Sequence, residues 1–192
     1  MKTTIQKLSI MVISIIVLGL TNSIAQDTKT DNHTIIINIP EVALLDLELS
    51  TSKNISMNFT APVEAGNSLV PPANNTSLWL NYSSIVTASG ADASRSVSVK
   101  ANATIPGVDI KLTAAADAGA GAGTKGTPVA SGLTLTTSDQ AIITSVGSCW
   151  TDTGISKGHQ LTYAVGPTSA ATYSNIVSGS NTITVTYTLS DN

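Results

Sequence analysis

Three residues in "CWTDTGISKGHQ", Cys149, Asp152 and His159, come nearest to a nucleophile, an orienting acid and a base. A thiol–imidazole pair works only when a third group holds the base in place, and nothing in the sequence singles out Asp152 for that role over a place in a strand connection. His33 is the one other histidine. There is no G-x-S-x-G elbow and no H-E-x-x-H. The glutamates Glu41, Glu48 and Glu64 all lie in the N-terminal third, so a carboxylate pair for sugar hydrolysis has little to draw on. "DTKTDN" lacks the glycine turn and the distal glutamate of a calcium loop. "GAGTKG", residues 121–126, matches G-x-G-x-x-G, but "TPVASGLTLTT" follows it and does not read as a helix, and no glycine immediately precedes Lys125. A phosphate cradle needs the helix. The expectation is a protein that is not an enzyme and uses no metal and no cofactor.

Cys149 stands alone as a thiol, so no internal disulfide can form. Beside Trp150 it reads as a small buried hydrophobe, with an intermolecular disulfide or a reactive thiol as the alternative. No basic residue adjoins it in sequence to lower its pKa. Among the aromatics, Tyr163 and Tyr187 fall on apolar faces and read as core with a polar tip. Trp79 alternates away from Leu78 and Leu80, which places it outward if those two face the core. Trp79 and Trp150 are therefore the candidate residues for stacking on a sugar ring. The asparagines of N-x-S/T triplets, from Asn32 to Asn102, reflect an Asn/Ser/Thr-rich surface.

The elements that must position these residues are strands. Period-two alternation runs through "ISMNFT" (55–60), "SLWLNY" (77–82), "RSVSVKANAT" (95–104), "VDIKLTA" (108–114), "QLTYAV" (160–165) and "NTITVTYTLS" (181–190), with shorter runs in "LTLTT" and "AIITSV". The last is the clearest: Ile183, Val185, Tyr187 and Leu189 share one face and threonines the other. "IPG" at 105–107 suggests a tight hairpin. Residues 114–132 are rich in Ala and Gly and long for a structureless loop, so a short strand is expected to hide there. No window has helical periodicity beyond the N-terminal leader. About nine short strands with frequent turns predict an all-β fold, a single antiparallel β-sandwich of immunoglobulin-like or pilin-like type.

Residues 1–25 read as a secretory signal peptide: Lys2 and Lys7, then an apolar core over Leu8–Leu20, then small residues at Ser23 and Ala25. The core is too short to anchor in a bilayer, and no other segment reads as a membrane span. The remainder, 26–192, suits one domain. Without Lys2 and Lys7, seven basic residues face twelve acidic ones, a net charge of −5 against −3 for the whole chain. That balance offers no basic face for nucleic acid. The expected location is the periplasm, the cell surface or the medium.

One stretch remains, "HTIIINIPEVALLDLEL", residues 33–49. Ile35, Ile37 and Ile39 share a face, Ile36 lies opposite, and Pro40 breaks the run because it has no N–H to give a ladder. Left in water, such a segment invites aggregation. Two arrangements bury it. It is the domain's own first strand, changing sheets at Pro40, or residues 35–39 are donated to a neighbouring subunit.

The "TIIINI" segment and the terminal "SGSNTITVTYTLS" strand resemble those of bacterial pilin-type subunits of the chaperone–usher and spore-coat-protein-U kind. The likeness covers about a third of the chain, and it departs from those families in lacking a disulfide. It implies a secreted bacterial surface protein with a structural or adhesive role, a self-assembling subunit whose partners are copies of itself or related subunits. The alternative is a carbohydrate-binding module that uses an exposed tryptophan, with a surface glycan as partner.

Overall fold

A computed structural model describes residues 29–49 and 52–192 of the chain. The signal-peptide assignment therefore lies outside the described residues. The chain divides into two units, residues 1–38 and 39–192. Of the first, only residues 29–38 are described. They form no helix or strand, and they are exposed throughout.

The second unit is all-β and antiparallel. Its strands are β1 (Val42–Glu48), β2 (Asn75–Ile85), β3 (Arg95–Ala101), β4 (Val108–Asp117), β5 (Ala122–Pro128), β6 (Leu133–Thr134), β7 (Gln140–Trp150), β8 (His159–Pro167) and β9 (Val185–Asp191). Single 3-10 turns follow β2 and precede β9. The hydrogen-bonded order is β6-β4-β8-β2-β7-β3-β9, with β1 also on β2 and β5 also on β7. β2 and β7 share only the pairs Ser83–Trp150 and Ser84–Cys149. At that corner the sheet folds over, which gives the sandwich-like arrangement of β6-β4-β8-β2-β1 against β5-β7-β3-β9. Among the described residues no helix is long and apolar enough to cross a membrane.

Alternation explains most of this. Val97, Val99 and Ala101 of β3 are buried while their neighbours are half-buried. Leu78, Leu80 and Tyr82 of β2 face Leu161 and Tyr163 of β8 in the same core. β7 departs from the pattern, with Ile142 and Ile143 both fully buried. Its register against β3 shifts there, and Ser145 takes a positive φ of 59°. An inserted residue of this kind puts two consecutive side chains toward one face.

Several expectations change. The hidden strand in residues 114–132 is β5, and β4 also runs on to Asp117. "IPG" closes a tight turn bridged between Ile105 and Val108, but it is no hairpin, because β3 and β4 pair with other strands. It carries the chain from one layer to the other. "ISMNFT" is no strand, and only Thr60 makes a bridge, to Val70. Ile35, Ile36, Ile37 and Ile39 belong to no strand and are 71–81 % exposed. The first strand of this unit starts at Val42, after the proline.

Candidate functional site

One concavity follows from an alternating segment that joins no strand. Ile55, Met57 and Phe59 are half-buried and alternate with exposed Ser56, Asn58 and Thr60, yet residues 52–59 pair with nothing in the sheet. Across from them, Ile183 and Val185 are also half-buried, although residues 181–184 precede the start of β9. Tyr187 and Leu189 continue that half-buried row. Among the described residues only one edge of β9 is paired, to β3. Both rows line an open groove of about 600 Å³, together with Ile110 of β4, Tyr163 and Val165 of β8, and Leu69, Ile105 and Ile176.

The opposite end of β9 is tied down. Arg95 is 1 % exposed. Its guanidinium donates to Asp191 at 2.7 Å, to Ser84 Oγ at 3.0 Å and to the carbonyls of Val42 and Ile85 at 2.6 and 3.1 Å, and it pairs with Glu41. A buried guanidinium needs its donors satisfied, and this set satisfies them with the start of β1, the end of β2 and the chain terminus. Glu41 therefore sits at the Asp191 end of β9. The groove is at the Val185 end, roughly 20 Å away along the strand.

A second buried cluster gathers the groups that looked like chemistry. His159 is fully buried. Its Nε2 lies 2.8 Å from the Tyr82 hydroxyl and its Nδ1 2.9 Å from the Ala115 carbonyl, and its ring stacks on Tyr82. The Tyr82 hydroxyl also donates to the Lys125 carbonyl, and the Lys125 ammonium pairs with Asp117. Cys149 is buried close enough to feel both charges: burial pushes its thiol up to about 11, Lys125 opposes that, and Asp117 adds to it. Sequence adjacency had shown no basic neighbour. Lys125 comes from β5 across the sheet, and burial outweighs it. A thiol held protonated is a poor nucleophile, and Asp152 takes no part, since it pairs with Lys157 at 3.4 Å on the surface. The Cys149–Asp152–His159 grouping therefore does not assemble. Among the described residues no group of three or more His, Cys, Asp or Glu side chains could hold a metal ion.

The glycines of "GAGTKG" serve packing. Gly121 has φ of +70°, and a Cβ there would lie 1.9 Å from the Trp150 carbonyl oxygen. Gly123 is as tight, 2.2 Å from the Ser148 carbonyl. Both let β5 lie against β7, as close backbone approach requires. Of the two tryptophans, Trp79 is half-buried within central β2, paired with Glu48 and Gln160. Trp150 ends β7 and is 52 % exposed.

No family model, no curated protein and no solved structure matches this chain.

Proposed function

We propose that this protein is a non-enzymatic, secreted bacterial surface protein with a structural role, a subunit that assembles by lending residues 34–39 to the groove of the next copy. One observation carries the reading. Among the described residues there are both an apolar segment in no strand and an apolar groove that no strand fills, with the same period. Ile35, Ile37 and Ile39 stand roughly 7 Å apart when extended. Ile55, Met57 and Phe59 on one flank, and Ile183, Val185 and Tyr187 on the other, repeat at the same interval. An inserted strand would pair with the free edge of β9 and bury side chains worth about 1.5–3 kcal/mol each.

The position of Glu41 favours a neighbour over the subunit itself: Arg95 holds it beside Asp191, at the end of β9 remote from the groove, so residues 35–39 would have to double back at Pro40 to fill their own. Head-to-tail insertion between copies is heterologous and extends into a filament unless it closes into a ring. The resemblance of the "TIIINI" and "SGSNTITVTYTLS" strands to pilin-type subunits points the same way.

The test compares residues 26–192 with residues 41–192 by light scattering and thermal melting. The longer chain is expected to form multimers. The shorter is expected to be monomeric and less stable, and to regain stability with a peptide of residues 33–40 but not with the same peptide carrying Ile37→Asp. Two monomers of equal stability, indifferent to the peptide, would overturn the proposal.

A further inference from the structure

We infer that the depression beside Trp150, on the outer face of β1 and β2, is a binding site for a neutral sugar. It lies on a different face from the assembly groove and does not depend on it. Trp150 is held outward from both sides: Cys149 and Thr151 are buried, and the Trp150 backbone pairs with Ser83 on β2 and Ala122 on β5. Its half-exposed indole borders a shallow depression of about 330 Å³, shared with Leu44, Asp46, Glu48, Ser83 and Asp152. Leu44, directly across from Ser83, is 67 % exposed and widens the apolar floor.

The polar rim is fixed before any ligand arrives. Asp46 pairs with Lys53 and accepts the Leu47 N–H, and these contacts, the Lys53 hydrogen bond first, hold its carboxyl below the usual carboxylate range against the opposing effect of burial. Asp152 accepts the Thr153 N–H at 2.9 Å and pairs with Lys157, and its carboxyl too is held low. Glu48 accepts from the Thr153 hydroxyl at 3.3 Å. Asn81, 5 % exposed at the floor, donates to the Gly154 carbonyl at 2.8 Å and so fastens the loop carrying Asp152 and Thr153 over β2. Its carboxamide oxygen has no hydrogen-bond partner.

Charge and shape select the ligand class. Three carboxylates against the two lysines paired with Asp46 and Asp152 leave one net negative charge at the rim, which disfavours an anion and is too little to hold a bare cation. What fits is a ring with one apolar C–H face for the indole and hydroxyls at its edge, donating to ionised acceptors. Hydrogen bonds to charged acceptors are the stronger kind, and an apolar floor with a few placed polar groups is the usual form of a small-molecule site. A pyranose has both features.

The experiment titrates full-length mature protein with neutral hexose and pentose oligosaccharides, and with uronic-acid and sulfated ones, by tryptophan fluorescence and calorimetry. At least one neutral oligosaccharide is expected to bind and to shift the fluorescence. Trp150→Ala is expected to weaken it about tenfold or more, as loss of a central aromatic anchor does. Should Trp150→Ala fold poorly, Asp46→Asn, at a half-exposed position, is expected to weaken binding with the fold intact. The assembly-defective Ile37→Asp chain is expected to bind the sugar unchanged. Binding of acidic oligosaccharides only, no binding at all, or affinity unaffected by both Trp150→Ala and Asp46→Asn would overturn the inference.

Discussion

The hydroxyls of Tyr163 on β8 and Tyr187 on β9 lie 2.6 Å apart, one from each layer, and this hydrogen bond is the polar tie across the half-open side of the core. Tyr163 lines the groove, and Tyr187 continues the row of Ile183 and Val185. Burial raises the pKa of both, and for Tyr187 the neighbouring phenol adds to the effect. Replacing one tyrosine by phenylalanine strands a buried hydroxyl, at a cost of about 1–3 kcal/mol. The double substitution removes both partners and is expected to cost less than the two singles together. A double-mutant cycle by urea unfolding measures this, and strict additivity would show that the pair does not interact.

Alkali is expected to unfold the protein earlier than acid chemistry alone would suggest. Cys149 titrates at about 11 when folded against 9.0 for a free thiol, and Tyr82, Tyr163 and Tyr187 are all raised above 10.0, chiefly by desolvation. Each group loses its proton more readily in the unfolded chain, so between the two pKa values the native state holds more protons and stability falls as pH rises. The contribution is complete below pH 9 and is lost progressively above it. Urea midpoints are expected to be flat from pH 7 to 8.5 and to drop beyond. Cys149→Ala is expected to move the onset toward pH 10, where the tyrosines take over.

Arg95 gathers the start of β1, the end of β2 and the terminus of β9 at one point. Arg95→Ala removes a fully buried side chain and leaves Glu41 and Asp191 without their cation, with an expected loss of about 3–5 kcal/mol. Asp191→Asn keeps the guanidinium and its other acceptors, Glu41 included, and is expected to cost only about 1–2 kcal/mol, since the aspartate is 44 % exposed and water screens it. Chemical denaturation of both variants checks the order. Equal losses would mean that the carboxylate, and not the buried cation with its carbonyl partners, holds the cluster.

Gly121 and Gly119 have similar positive φ but different surroundings. Nothing lies within 4 Å of a Cβ at Gly119, whereas one at Gly121 meets the Trp150 carbonyl. Gly119→Ala is expected to cost about 1–2 kcal/mol, the backbone penalty alone. Gly121→Ala must also push β5 off β7 and is expected to cost more and to alter Trp150 fluorescence. Thermal melts and emission spectra distinguish the two.

The amino-acid sequence by itself determined the strand character of this protein. Side-chain alternation is a local property of an extended backbone, so β2, β3, β4, β8 and β9 could be read from residues two apart, as could the inward tyrosines. Pairing is different, because it joins residues far apart in the chain. Only the tertiary structure decided that "ISMNFT", which alternates as well as any strand, pairs with no strand among the described residues beyond the single Thr60–Val70 bridge, and that Lys125 reaches Cys149. Arg95 meets Asp191 across 96 residues, and no local pattern marks that arginine as buried. The groove is likewise a tertiary fact. It exists because two alternating segments, 55–59 and 183–187, flank a place in the sheet that no described residue of this chain fills.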